Sequence, residues 1–255
     1  MQLRSRGGSF AFKHVLCSVL LGFVICSLHV ENTKRSALAQ GASDVGMLKS
    51  PDPALRSNAA QALFANWQYS LKGLIEAVNE FDGKPIDTGL SKDDLDYLTR
   101  VTDVLRSIVV NDREAIKKFR EIDADKTSRP LIWAARSDYR DLRVNATFIM
   151  ANVADNTNVC IVLNHLRQTD ISTDGIINLL QIVIAVSSYI YKENYINAKQ
   201  TLAELRKTLA TRKEDFSRAY ALIDNLSKRL ETSINKDESL PRDLSFCNSE
   251  QAKKL

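Results

Sequence analysis

Turn-forming residues are scarce in this sequence. The 255 residues include only 9 glycines and 5 prolines. Sheet-rich folds and dinucleotide-binding α/β folds need more of them, because their many tight turns require glycine or proline at fixed positions. Hydrophobic residues make up 44% of the chain and charged residues 26%, which are ordinary values for globular proteins. The composition therefore favours a packed, all-helical fold.

Residues and motifs that carry catalysis are also scarce. Of the three histidines, only His165 lies beyond the N-terminal segment. The sequence has no HExxH zinc motif, no G-x-S-x-G nucleophile elbow, no phosphate-binding P-loop and no G-x-G-x-x-G. The carboxylate pairs Asp93 with Asp94 and Asp123 with Asp125 are typical of helix starts and solvated faces. We therefore predict a non-enzyme without a cofactor, with His165 on a helix surface or partly buried. An unfamiliar helical active site around His165 is the alternative.

The chain has no basic excess beyond its N-terminus. Residues 1–39 hold five of the 35 lysines and arginines and one of the 31 acidic residues, so residues 40–255 carry 30 of each sign. Proteins that bind nucleic acid usually carry a clear positive excess, which neutralises the phosphates. We therefore expect no nucleic-acid partner.

An apolar run lies near the N-terminus. Three basic residues precede the apolar residues 15–30, and Ala37 and Ala39 supply small residues where a signal peptidase reads them. This pattern predicts a signal peptide, residues 1–39, cut before Gln40, and export to the periplasm or the extracellular space. The run is short for a membrane span, which needs about 20 residues. Because charged residues separate the run from the cleavage site, an uncleaved anchor at 15–30 is the alternative, and only that anchor would bring a membrane contact.

Four cysteines occur, two of them inside the predicted signal peptide. The other two, Cys160 and Cys247, can pair in an oxidising compartment and so tie the C-terminal segment to the helical body. The alternative is a buried thiol at Cys160, within the apolar run 159–163, and a free Cys247. The sequence has no CxxC motif and so gives no indication of a redox or zinc role.

Apolar residues recur at three- and four-residue spacing through most of the remaining chain, which is the pattern of amphipathic helices. We predict a flexible leader at residues 40–50, a helical domain at 51–234 and a polar C-terminal tail at 235–255. Asp52 and Ser91 are positioned to cap the N-termini of two helices.

Three segments depart from this regular pattern. Residues 82–89 include Gly83 and Pro85 and are predicted to form the longest loop of the domain. Pro130 is predicted to separate two helices, because proline cannot donate a helical hydrogen bond. Residues 174–191 are apolar nearly all round, so we expect a central helix that is covered on both sides.

A short motif occurs twice. The sequence LRSNA at residues 55–59 recurs as LRVNA at residues 142–146, an offset of 87 residues. Each copy follows acidic residues and leads into a helix rich in small residues. The offset is about two periods of the 40–47 residues typical of HEAT and armadillo units. The segment from Asp52 to Leu63 resembles the HEAT repeat, and the segment from Leu142 to Leu163 resembles an armadillo unit.

The resemblance implies a short right-handed α-solenoid of stacked antiparallel helix pairs, with roughly 8–10 helices. It also implies contacts between neighbouring repeats, in which an acidic residue near a helix start bonds to an arginine. The pairs expected for this role are Asp52 with Arg56, and Asp138 or Asp141 with Arg143. The unit between the two copies has the helical periodicity but lacks the motif. A helical bundle without repeats is the alternative, and it keeps the all-α class.

One segment partly matches a calcium-binding loop. Asp170, Ser172 and Asp174 stand at positions one, three and five of an EF-hand pattern. Position twelve is Gln181, and an amide cannot replace the bidentate carboxylate that closes the coordination sphere. We therefore adopt no metal site and interpret the segment as a turn, with Thr173 or Asp174 as the helix cap.

Together, these features predict an exported, non-catalytic scaffold or adaptor whose stacked helices form a groove for a protein or peptide partner. Fold-level resemblance carries part of this prediction, and repeat folds serve many functions. The alternatives are a helical sensor or ligand-binding domain tethered by residues 15–30, and the enzyme around His165.

Overall fold

The computed structural model of the protein describes residues 44–234 apart from Pro85, Asp123, Thr169 and residues 188–191. Throughout this part of the chain the regular structure is helical, and no strand occurs in it. The all-α prediction is therefore confirmed. The predicted signal peptide 1–39, with its alternative anchor, and the predicted tail 235–255 lie outside the described residues.

Eleven helices follow a single helical turn at residues 44–47 in the described part of the chain. They are α1 (Pro53–Ala65), α2 (Trp67–Asn79), α3 (Ile86–Gly89), α4 (Lys92–Asn111), α5 (Arg113–Glu121), α6 (Ala124–Arg136), α7 (Arg140–Val153), α8 (Asn156–Leu166), α9 (Thr173–Val186), α10 (Lys192–Ala210) and α11 (Ser217–Ile234). The sequence predicted roughly 8–10. The additional helix is the four-residue α3, which lies in the segment predicted as a loop and buries Ile86.

Short polar side chains begin four of these helices. The Asp52 carboxylate accepts a hydrogen bond from the backbone N–H of Ala54 at 2.8 Å, and the Ser91 hydroxyl accepts one from Asp94 at 3.1 Å. Asp112 caps α5 in the same way. These bonds satisfy amide groups that have no partner within the helix. The N-cap of α9 is Ser172, whereas Thr173 or Asp174 was predicted for this role.

Pro130 lies inside α6 and does not separate two helices as predicted. A proline in a helix interior costs about 3 kcal/mol, because it removes a hydrogen bond and crowds the preceding turn. In α6 the cost is offset by burial, since Leu131, Ile132, Ala134 and Ala135 are all fully buried. Much of this burial comes from the extensive packing of α6 against α7.

The predicted central helix is α9, which packs against α6, α7, α8 and α11. Its aliphatic side chains are buried on most sides, as an apolar helix without a single polar face requires. No helix among the described residues has both the length and the apolar character needed to cross a bilayer.

The helices contact one another in two series. The first series is α1, α4, α7, α9 and α11, and each of these packs against the next. The second series is α2, α6, α8 and α10, which also pack in that order. The series are joined where α2 packs on α4, α6 on α7, α8 on α9 and α10 on α11. Outside these two series, α5 packs against α2, α4, α6 and α7, and α6 also packs against α9.

Residues 44–50, predicted as part of a flexible leader, pack against the helical body. Val45 and Leu48 are buried, and the backbone carbonyl of Leu48 accepts a hydrogen bond from Arg100 at 2.8 Å. Lys49 also forms an ion pair with Glu80. The physical reason is that the helical turn at residues 44–47 and the turn that follows it bring Val45 and Leu48, three residues apart, onto the same side.

Candidate functional site

A groove of about 470 Å³ lies over α4, between α1 and α7. Its lining consists of Leu48; Arg56, Ser57 and Ala60 of α1; Thr99, Arg100, Asp103, Val104 and Arg106 of α4; and Asp141, Val144 and Asn145 of α7. The groove thus combines three arginines and two aspartates with apolar carbon. Its volume lies within the range of sites that bind ligands, and its lining is more polar than is usual for small-molecule pockets.

Two arginines on the α1 side of the groove are fixed by backbone oxygen atoms. Arg56 donates through Nη1 to the carbonyls of Ser50 and Pro51, both at 2.8 Å. Arg100 donates through Nε to the carbonyl of Leu48 at 2.8 Å. Burial and the nearby positive charge of Arg56 lower the pKa of the Arg100 guanidinium, and Asp96 and Asp93 act in the opposite direction.

The third arginine connects α4 to α7. Arg106 donates through Nη1 to Oδ1 of Asn145 at 2.9 Å, and its guanidinium lies 5.6 Å from the centre of the Phe148 ring. Asn145 in turn donates weakly to the carbonyl of Thr99 at 3.4 Å. The buried asparagine of the second LRxNA copy therefore joins two neighbouring helices and forms part of the groove wall.

The two copies of the repeat have the same local structure at their starts. Arg56 donates to the carbonyl of Ser50, and Arg143 donates to the carbonyl of Ser137 at 2.7 Å, each reaching six residues back. The two serine hydroxyls likewise accept from the backbone N–H two residues on, at 3.2 Å for Ser50 and 3.1 Å for Ser137. Because each pair of equivalent residues is 87 positions apart, the similarity includes residues 50–52 and 137–139 as well as the motif.

The partners of the two repeat arginines differ in kind. The carboxylate of Asp52 caps its own helix, while Arg56 binds carbonyls. Arg143 pairs with the carboxylate of Asp174 at 2.5 Å, and the predicted pairing with Asp138 or Asp141 stays a prediction. Asp174 lies in the first turn of α9, which is the next helix of the first series. Arg143 and Asp174 thus connect α7 to α9, two neighbouring helices of the first series.

His165 belongs to a buried cluster with Arg136 and Trp133. It is only 2% exposed, so the prediction of a surface or partly buried position is wrong. Its Nδ1 lies 3.1 Å from Nη1 of Arg136, and its ring meets Trp133 edge-on at 5.0 Å. Arg136 also donates to the side chain of Gln168 and pairs with Asp170 at 3.2 Å. Burial, and then the positive charge of Arg136, lowers the pKa of His165 to about 4.

This environment makes His165 a poor general base. At neutral pH the imidazole is unprotonated, its Nδ1 faces a guanidinium, and the ring has almost no contact with solvent. A general base must reach the proton that it removes from a substrate. The cluster is better explained as a fixed contact between α6 and α8.

The residues of the possible calcium loop are engaged in other interactions. Asp170 pairs with Arg136, Asp174 pairs with Arg143, and the Ser172 hydroxyl accepts from the N–H of Gly175 as the cap of α9. No group of three or more histidine, cysteine, aspartate or glutamate side chains suited to a metal ion occurs among the described residues. Two arginines close to the carboxylates would also repel a cation.

Cys160 lies in α8 and is 1% exposed. Its predicted disulfide partner, Cys247, lies outside the described residues. The pairing therefore stays a prediction.

Several residues of the groove were not identified from the sequence. Three charged residues of α4 are spaced three residues apart: Arg100, Asp103 and Arg106. This spacing places them on one helix face, but it does not distinguish a binding surface from an ordinary solvated face. Val144 and Asn145 were noted only as part of the repeat. What joins them into one site is the packing of α4 against both α1 and α7.

Comparison with known proteins gives no matching family model, no similar curated protein and no similar solved structure.

Proposed function

We propose that this protein is an exported, non-catalytic interaction scaffold built on a HEAT/armadillo-like helical array, and that the groove over α4 receives a protein or peptide partner. The observation that carries the proposal is the groove itself. It extends across three neighbouring helices and presents anchored arginines beside the apolar side chains of Ala60, Val104 and Val144. Surfaces of this kind suit extended segments, whose backbone and side chains need both polar and apolar contacts.

Two observations support the helical array. The helices contact one another in two series joined by cross-contacts, which is the order that stacked helix pairs would produce. The two LRxNA copies also make equivalent contacts at the starts of α1 and α7, on either side of α4. A right-handed solenoid of antiparallel pairs accommodates both, with the groove on the surface formed by the first series.

The test of binding uses protein produced from the full sequence and an array of random 12-residue peptides. Val144→Arg places a long cation in the groove wall and is expected to weaken peptide binding at least about tenfold. The matched control is Ile196→Arg, an equally drastic change at an exposed position (58%) on α10 of the second series. The proposal is wrong if no peptide binds, or if the two variants affect binding equally while both keep the wild-type melting temperature.

Export is tested separately by sequencing the N-terminus of the protein isolated from its host. A start at Gln40, in protein recovered from the periplasm or the medium, is the expected result. A chain that keeps residues 15–30 and sediments with membranes would instead favour the tethered sensor.

A further inference from the structure

We propose that residues 170–174 form an acid-sensitive clasp, which holds the start of α9 at neutral pH and is released in acid while the other helices stay packed. The clasp leads into α9, the central helix of the molecule, and Ile171 within it is 2% exposed. The charged side chains on which it depends are separate from the lining of the groove. The inference therefore goes beyond the proposed function and does not require it.

Arginines from three separate parts of the chain hold the clasp. Arg136, at the end of α6, pairs with Asp170 at 3.2 Å. Arg143 of α7 pairs with Asp174 at 2.5 Å. Arg212, in the connection between α10 and α11, donates through Nη1 to a backbone carbonyl of the clasp at 3.0 Å. Two of the three contacts are therefore ion pairs, and each needs an ionised carboxylate.

Each of the two ion pairs joins a buried cation to an exposed anion. The side chain of Arg136 is 6% exposed and that of Asp170 is 73% exposed. The values for Arg143 and Asp174 are 9% and 62%. Protons from the solvent therefore reach both carboxylates directly. Once a carboxylate is neutral, its arginine keeps a full charge with little solvent around it, and a buried charge without a partner destabilises the closed form.

His165 responds to acid in the same direction. Its Nδ1 lies 3.1 Å from Nη1 of Arg136, the guanidinium that also pairs with Asp170. Burial, and then the positive charge of Arg136, keeps the pKa of His165 at about 4 in the closed form. Release of the clasp frees Arg136 to turn towards solvent, and the pKa of His165 then returns towards its ordinary value of about 6.5. Because the released form binds more protons, its population rises as the pH falls below 6.5.

Three helices pack against α8 and bring charged groups towards His165. Arg136 comes from α6, Asp174 from α9, and Glu204 from α10, where it is already in an ion pair at 3.2 Å. Asp170, in the clasp itself, favours the protonated imidazole, but less strongly than burial and Arg136 oppose it. The balance of these groups therefore leaves His165 uncharged while the clasp is closed.

The contact to the connection between α10 and α11 is less sensitive to acid. Glu214 pairs with Arg212 at 2.8 Å and accepts a hydrogen bond from Thr173 of the clasp at 2.5 Å. The hydrogen bonds from Thr173 and Arg212 lower the pKa of Glu214. This glutamate thus keeps its charge further into acid than an ordinary one, and the release concerns the contacts with α6 and α7.

The experiment follows amide hydrogen exchange by mass spectrometry, in protein produced from the full sequence, at several pH values from 7 to 4.5. Rates are corrected for the intrinsic effect of pH. Peptides that cover residues 170–176 are compared with peptides from α4, which packs on α1 and α7. From pH 7 to pH 5 we expect exchange of the clasp to rise at least about twentyfold relative to α4, the factor that the change in the pKa of His165 gives by itself.

Substitutions test the ion pairs and the histidine separately. Asp174→Asn should raise exchange of the clasp at pH 7 about ten- to a hundredfold, because Arg143 stays buried without its partner. The matched control is Asp224→Asn, since Asp224 also pairs with an arginine at 2.5 Å, but that arginine, Arg206, is 54% exposed. The control should change exchange of the clasp less than about fivefold. His165→Gln should reduce the pH dependence of exchange, whatever its effect at pH 7.

Four results would overturn the inference. Protection could be lost equally in the clasp and in α4, which would mean that the whole body unfolds together, or protection of the clasp could stay constant from pH 7 to pH 5. These two results need no variant, so they can be obtained even if a substituted protein does not fold. Asp174→Asn could exchange like the wild type at pH 7, or His165→Gln could keep the full pH dependence. No peptide partner takes part in these measurements, so a groove that binds nothing would leave their outcome unchanged.

Discussion

Several arginine side chains in this protein are anchored by neutral oxygen atoms, while others pair with carboxylates. Arg120 of α5 donates to the carbonyls of Val153 at 2.9 Å and Asn152 at 3.2 Å, at the C-terminal end of α7. Arg56 and Arg100 use carbonyls in the same way before α1. A carbonyl fixes the orientation of a guanidinium without cancelling its charge, whereas an aspartate does both. The arginines therefore differ in whether a carboxylate contacts them directly.

At the residue scale, His165 gives a prediction about pH. Its pKa is about 4 in the folded protein and close to 6.5 in the unfolded chain, so between these values the unfolded chain binds more protons. The free energy of unfolding should thus fall as the pH drops from 6.5 to 4, with a contribution from His165 of about 3 kcal/mol, and should gain nothing from this residue above 6.5.

The measurement is urea unfolding of the wild type and His165→Gln at several pH values. Carboxylates titrate in the same pH range in both proteins. The difference between the two free energies of unfolding at each pH therefore gives the contribution of His165 alone. A constant difference from pH 7 to pH 4 would contradict the low pKa.

Residue-scale features could be predicted from the sequence where their partners are close in the chain. Asp52 and Ser91 cap helices as predicted, because the amide that each binds is two or three residues away. The partner of Arg143 is 31 residues away, in another helix. No local pattern distinguishes Asp174 from Asp138 or Asp141 for this role, since the choice depends on how α7 and α9 pack.

At the scale of the element, two helical glycines should respond in opposite ways to alanine. A Cβ at Gly73, inside α2, would meet Val45 at an ordinary 3.5 Å, so Gly73→Ala should stabilise the protein by about 0.5–1 kcal/mol through helix propensity. A Cβ at Gly175 in α9 would lie 2.8 Å from both the Arg136 carbonyl and Ile171. Gly175→Ala should cost about 1–3 kcal/mol, because backbone atoms must shift.

Urea unfolding of the two variants tests this contrast, and each is the control for the other. If Gly175→Ala is also stabilising, α9 does not approach the end of α6 as closely as described.

The shared structure of the repeat starts gives a further prediction. Arg143→Met removes both the hydrogen bond to the buried Ser137 carbonyl and the ion pair with Asp174, which should cost about 2 kcal/mol. Arg56→Met removes the equivalent bond, but Pro51 is exposed and Ser50 only half-buried, so water can replace the guanidinium and the cost should stay below about 1 kcal/mol. Equal losses in the free energy of unfolding would mean that neither burial nor the ion pair with Asp174 makes Arg143 more important than Arg56.

Helices could be predicted better than their boundaries. The all-round apolar pattern of α9 indicated a central helix, because the pattern is a direct consequence of burial. Pro130 was misleading, since intrinsic propensity is weak beside the burial of four neighbouring side chains in α6. Residues 44–50 contain only two buried apolar residues, too few for periodicity to reveal the helical turn at 44–47.

At the scale of the whole molecule, the order of helix contacts could not be derived from the sequence. Hydrophobic stripes show that a helix has a buried face but not which helix covers it. The repeat supplied part of the missing information, because equivalent motifs in α1 and α7 suggested equivalent positions. It did not indicate that both helices pack on α4, and the groove exists because they do.

The last prediction concerns how the C-terminal segment is held and the compartment in which the protein folds. Cys160 is buried in α8, and a bond from it to Cys247 would close a loop of most of the C-terminal third of the chain. Such a crosslink restricts the unfolded chain and typically contributes about 2–4 kcal/mol. It would form only in an oxidising compartment, so it also tests export.

We expect proteolysis of the exported protein without reduction to yield one linked peptide that contains both cysteines. Cys247→Ser, a change in a polar segment, should lower the melting temperature of the oxidised protein, and a reducing agent should bring wild type and variant to the same value. Equal melting temperatures before reduction, with both thiols open to alkylation, would contradict both the crosslink and the oxidising compartment. The groove would be unaffected by that result, because its lining among the described residues comes from Leu48, α1, α4 and α7 and includes no residue of α8.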